Sequence, residues 1–430
     1  MLTDFTELKI LDAVFGRRAW SGKPGTLFLA AMTAPPSDEG GGTSVTGNGH
    51  ARVGIVCTGA NWTWSNGKLE NANNITFAVA TADWGLITTI GIYNQATGGT
   101  LVAYLTLPNP IEITQYQTLK LDAGLLKFSL TGSIQPVMAK AILEYLFAGV
   151  PLPALPNFYV ALGTGIGGDH ITGEVEVYGY ERKKIANSQG NWPAASAGSK
   201  FISGIHTFLP AVADYGTISH FALYDEPCLL KGVSLDIATE RITLGSAHGL
   251  AVNDCLFVSG SSAPVASGFV NNDIAFVKTV PTSTAITLSA TAGGSQFNFT
   301  GAGANIRLWR MAATVITPTG GVVDDTNDWV PAPAHGLVQG DRVLAKASVY
   351  PTNIPAGTLF RVVNPTEDTF QLSLEEDGVP INPGSTGTAV TFRKVLRGTM
   401  LYYTQAQNAI PVGTGDEPEL SSGSLEINLD

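Results

Sequence analysis

A short stretch that the chain carries twice constrains the fold more than any other feature. Residues 81–93 read Thr-Ala-Asp-Trp-Gly-Leu-Ile-Thr-Thr-Ile-Gly-Ile-Tyr, and residues 213–224 read Ala-Asp-Tyr-Gly-Thr-Ile-Ser-His-Phe-Ala-Leu-Tyr. Asp83, Trp84, Gly85, Ile87, Ile92 and Tyr93 match Asp214, Tyr215, Gly216, Ile218, Leu223 and Tyr224 at one constant spacing. A polar Asp-aromatic-Gly turn running into alternating apolar residues is the pattern of a tight turn feeding a half-buried strand. Repetition of such a unit sets the architecture before any single element is assigned.

The match extends upstream. Asp4 with Glu7 reads as a capping box opening a helix over residues 4–15, with Gly16 as its stop. Met138, Ile142, Leu143 and Leu146 repeat it, with Pro136 near the first turn. An apolar run at 27–32 returns as Phe158–Leu162, His50-Ala-Arg52 as Tyr180-Glu-Arg182, and Asn61-Trp62 as Asn191-Trp192, always 130–132 residues later. Further strands are expected at 51–57, 74–79, 86–93, 100–106 and 124–130.

After Tyr224 the correspondence stops. It resumes where Gly398–Tyr403 matches Gly99–Tyr104 and Gly423–Leu429 matches Gly124–Leu130, now 299 residues apart. The second copy therefore holds an insertion of about 168 residues where the first has only a turn around Asn94–Gly98. Exposed loop tips accept such insertions because loop closure costs little extra entropy and the host core is undisturbed. The insertion is itself doubled. His248-Gly-Leu-Ala-Val-Asn-Asp254 returns as His335-Gly-Leu-Val-Gln-Gly-Asp341, and 277–289 returns as 361–373.

Composition narrows the function. With 44% hydrophobic and 14% charged residues the chain is folded, and 49 Gly among many β-formers suits short strands and turns. A net charge of −11 without any Lys/Arg run argues against nucleic-acid binding. Cys57, Cys228 and Cys255 lack metal or disulfide spacing and read as buried apolar residues. No apolar run is long enough to span a bilayer, and the N-terminus lacks a signal-peptide pattern.

The duplicated unit resembles a domain of tailed-bacteriophage virion proteins, the tail-fibre or minor structural type. The resemblance rests on the helix, the Leu27–Met32 strand, the loop ending at Arg52, Ala-Asp-Trp-Gly, Gly91-Ile-Tyr93, Gly98-Gly-Thr-Leu101 and Gly124–Leu130. The His-Gly-Leu modules are similar to small β-repeats of phage fibre, collar and capsid-decoration proteins. The second copy departs at Gly163–Gly168 and at Tyr215, which replaces the tryptophan.

Candidate chemistry is sparse. His248 and His335 occupy equivalent positions, but no second ligand recurs near both, so each reads as a turn histidine bonded to backbone. Asp83 and Asp214 lack a shared acidic partner and read as side chains holding their own turns. Asp324, Asp325 and Asp328 lack the full calcium-loop pattern and read as a solvated acidic loop. No Ser-His-Asp or Cys-His signature is present. Trp84 reads as packing; Trp20 and Trp329, in loop contexts, are the candidate surface or glycan contacts.

The expected fold is mainly β. Two tandem β-sandwich domains (1–133, and 134–228 plus 396–430) are each led by a short N-terminal helix. The second is interrupted by two β-barrel or β-sandwich modules at 229–311 and 312–395. The expected function is a non-enzymatic virion structural protein without cofactor or metal. It would be an auxiliary capsid or collar decoration or spike, attached as a symmetric oligomer to other virion proteins. The alternative is a tail-fibre or baseplate protein binding host-surface glycan. No nucleic-acid or membrane partner is implied, and assembly would take place in the host cytoplasm.

Overall fold

The computed structural model describes all residues except 178–179, 197, 246, 261–264, 267–271, 376–377 and 430. Strand makes up 43% and helix 7%, which makes the protein mainly β. Helix α1 spans Asp4–Val14 and α2 Pro136–Leu143, the latter continued by a π-helical turn over Glu144–Ala148.

The first sheet orders β1 (Thr26–Ala34), β2 (Val53–Val56), β3 (Gly85–Tyr93) and β4 (Leu101–Ile113) as β2-β1-β3-β4, with Thr43–Ser44 also on β1. The second orders β5 (Asn157–Gly163), β6 (Lys183–Ala186), β7 (Gly216–Tyr224) and β8 (Met400–Val412) as β6-β5-β7-β8. Their registers coincide position for position. Gly85 pairs with Ile113 and Tyr93 with Leu101; Gly216 pairs with Val412 and Tyr224 with Met400. Both ladders shift at the same two places, between Ile87 and Thr89 and between Ile92 and Tyr93 in the first, and between Ile218 and His220 and between Leu223 and Tyr224 in the second. A shift of one residue turns every side chain to the other face, so such agreement keeps both cores in phase.

The two halves share one core through an exchange of helix tips. Phe15, just past α1, packs at 5.1 Å from Phe158 and 5.3 Å from Trp192, both in the second half. Reciprocally, Phe147 lies 4.9 Å from Trp62 and 4.5 Å from Phe128, both in the first. Fully burying a large apolar side chain stabilises by about 1.5–3 kcal/mol, so each half closes its core with its neighbour's ring. Asn187 seals the crossing: its Oδ1 accepts from the Gly16 N–H and its Nδ2 donates to the Val14 carbonyl.

Two local expectations change. The helix cap is Thr3, not Asp4, and the Thr3 hydroxyl donates instead to the Leu101 and Val102 carbonyls. Docking the helix start on β4 outcompetes local capping. Outside the expected strands, Trp62–Ser65 and Lys68–Asn71 form a hairpin around the Asn66-Gly67 turn.

The inserted segment forms a closed six-stranded barrel within 229–311 and a five-stranded half-barrel within 330–394. Each has its own apolar core, and Cys228, Phe257, Trp309, Leu344 and Val395 pack between them.

Candidate functional site: the neck of the insertion

The insertion leaves and rejoins the body at a turn that the first half preserves in simple form. There the Asn94 N–H donates to the Thr100 carbonyl, and Thr100 N–H donates to Asn94 Oδ1 at 2.7 Å. In the second half Asp225 N–H donates to the Thr399 carbonyl, and Thr399 N–H donates to Asp225 Oδ1 at 2.6 Å. Gly99 and Gly398 hold the return limb at φ +72° and +71°, where an L side chain is strained.

One arginine clamps each turn. Arg52 lies 3.5 Å over the Tyr93 ring and donates to the Gln95 and Gly98 carbonyls at 2.8 and 2.6 Å. Arg182 lies 3.6 Å over the Tyr224 ring and donates to the Glu226 and Arg397 carbonyls at 3.1 and 2.5 Å. The two residues upstream match too. His50 Nε2 accepts from the Ala31 N–H, and the Tyr180 hydroxyl accepts from the Leu162 N–H. Burial lowers the His50 pKa, with the Arg52 charge adding to it, which suits a neutral acceptor.

The second clamp is buried and carries a partner that the first lacks. Glu174 receives two hydrogen bonds from Arg182, 2.7 Å from Nε and 2.9 Å from one terminal nitrogen. Burial alone would raise the Glu174 pKa; the Arg182 charge and hydrogen bond outweigh it, and the carboxyl is held below its ordinary value. Burial likewise pushes the Cys228 thiol beneath the neck up to about 11, so it stays protonated at neutral pH.

More ion pairs brace the lobe. Glu176 of the body meets Arg342 and Arg361 of the half-barrel, and its carbonyl accepts from Arg307 of the barrel. Buried Asp341 holds Lys394 and Arg397, each at 2.6 Å, and Glu226 holds Arg310 at 2.8 Å. An unpaired charge at buried Asp341 or Arg397 would cost several kcal/mol, whereas Glu176 and Glu226 keep part of their surface in water.

His248 and His335 are turn residues. His248 Nδ1 accepts from Leu250 N–H and His335 Nδ1 from Leu337 N–H, both at 2.9 Å, with Nε2 directed at the Thr282 and Thr369 carbonyls. Asp214 accepts from Gly216 N–H in its own turn, whereas Asp83 reaches across to Gln115 N–H. Trp84 is buried and donates to the Asn48 carbonyl. Asp324 is occupied by Thr326 and Asn327. Trp20 corrects the expectation of a surface ring: it is 8% exposed and packs edge-on against Phe5, because the loop after α1 folds back over the helix. Trp329 is half-buried and bridges Asp324 through backbone. Trp20 and Trp329 thus lie in the body and the half-barrel and form no shared platform. Among the described residues no cluster of three or more His, Cys, Asp or Glu could hold a metal, and no helix is long and apolar enough to cross a membrane.

The recurrence of Arg182 was visible in the repeat. Its partner Glu174 was not, nor were the lobe's braces Glu176, Arg342, Arg361 and Asp341, because none has a counterpart in the first half and they meet only in space.

Fold and neck together describe a β-rich structural protein whose polar groups are spent on holding parts in place. The chain belongs to the family described as podophage GP4 fiber I protein gp80, whose model matches residues 1–129 and again 133–233. It is a structural protein of the tailed-phage virion, of the fibre type. A search of curated proteins returns no match.

Proposed function

We propose that the protein is a compact, non-enzymatic appendage of the fibre apparatus, with the doubled body bound to other virion proteins and the inserted lobe held outward toward the host. The body comprises residues 1–133 with 134–228 and 396–430, and the lobe comprises modules 229–311 and 312–395. The neck carries this proposal: a turn of the body has been opened to hold a lobe braced by ion pairs, two of them buried, which suits a fixed projection. The family match supports the division, since it covers the first half and the part of the second before the insertion, ending at residue 233, just past the neck. The family's description as a fiber protein favours a fibre over a head protein. Attachment as a symmetric oligomer would multiply weak contacts.

The test replaces residues 226–397 with the Gln95–Gly98 turn in the phage. Imaged particles should keep body density at the fibre base and lose outer density, and adsorption to host cells should fall. A second placement, as capsid or collar decoration, is favoured by the short helices, none of which among the described residues is long enough for a coiled-coil shaft. Body density on the head or collar, with adsorption unchanged, would select it.

A further inference from the structure

The outer limb of β8 differs from that of β4, and a groove lies beneath it in the second half. In the first half Leu107 is 3% exposed and fills the space under the bulge between Thr106 and Ile111. Its register counterpart in the second half is Ala406. Beneath the matching bulge lies a cavity of about 590 Å³ between β8 and residues 419–426, with Phe221 in its wall. That size falls within the range of about 300–1,000 Å³ of small-ligand sites.

Other wall positions change too, while Asn408, Ile410, Leu420 and Gly423 keep the residue types of Asn109, Ile111, Leu121 and Gly124. Leu105 and Pro108 of the first half correspond to Thr404 and Gln407, and Lys120 and Lys127 correspond to Glu419 and Glu426. Apolar groups have given way to hydroxyl and amide, and both lysines to carboxylates. The lining contains two carboxylates and no basic side chain. Glu426 Oε1 accepts from Ser199 at 2.6 Å, which orients that carboxylate.

We propose that this groove binds a neutral saccharide. Amide and carboxylate groups accept from sugar hydroxyls, Phe221 offers an apolar wall to a sugar's C–H face, and the carboxylates repel anionic glycans. The ligand class rests on the chemistry of the lining and not on which part of the appendage meets the host.

The experiment applies the purified full-length protein to immobilised neutral hexose and N-acetylhexosamine oligomers, with sialylated and sulfated oligomers alongside. Binding should be confined to neutral oligomers. Ala406→Leu, which restores the first half's side chain, should weaken it about tenfold or more, and the surface change Glu419→Lys should weaken it about threefold or more, at unchanged thermal midpoints. Should Ala406→Leu misfold, Glu419→Lys decides alone. Absence of wild-type binding overturns the groove assignment, and so does binding that survives both changes or is lost only in Trp329→Ala. If the particle image still places the protein on the fibre, the appendage function stands despite that failure.

Discussion

Arg52 and Arg182 occupy one position in two environments. Arg52 closes a turn of a few residues near solvent, stacked on Tyr93 and bonded to two carbonyls. Arg182 makes the same contacts to the two ends of the insertion, but the lobe covers it and leaves it 4% exposed. Burial turned a solvated cation into one that requires a counter-charge, and Glu174 supplies it in bidentate geometry. A site that accepts a large insertion must therefore change chemistry even where its backbone bonds stay the same.

The largest test of this contrast is Arg182→Ala. It leaves Glu174 buried without its main partner and should cost roughly 3–5 kcal/mol in denaturant unfolding. A cost below about 1 kcal/mol would mean that the neck is not a buried pair at all.

Gly398→Ala comes next. It places a Cβ at φ +71° and 2.9 Å from Asp225 Oδ1, and should cost about 1–2 kcal/mol. Gly99→Ala meets the same strain at φ +72°, so similar losses in the two variants would show that turn geometry is independent of the insertion.

Arg52→Ala should cost only about 1 kcal/mol, because water takes over its two carbonyls. Unfolding curves for the two arginine variants, run together, measure the effect of burial directly.

The smallest effect near neutral pH is that of acid. Glu174 has a folded-state pKa below the ordinary 4.5, so its contribution is complete above that value and is lost as pH falls through the lowered one. Hydrogen exchange at the neck should rise on acidification in the wild type, while Glu174→Gln should lack that acid-dependent component. An identical pH dependence in both proteins would assign the acid response to other groups.

Much of this protein was determined by its sequence alone. The spacing between copies prescribes the register of β3 on β4 and of β7 on β8, because alternation and turn glycines act between near neighbours. Gly99 and Gly398 and the two His-Gly-Leu turns were legible for the same reason: a positive φ or a backbone-bonded imidazole is a local requirement. Tertiary structure alone decided the rest. Phe15 and Phe147 cross into opposite halves, Trp20 turns inward onto Phe5, and Thr3 serves β4 rather than its own helix. Arg182 reaches a carbonyl 215 residues away, and Ala406 leaves a groove where Leu107 fills one. These outcomes depend on which surfaces approach and how fully they exclude water, and residue-to-residue spacing along the chain carries no record of either.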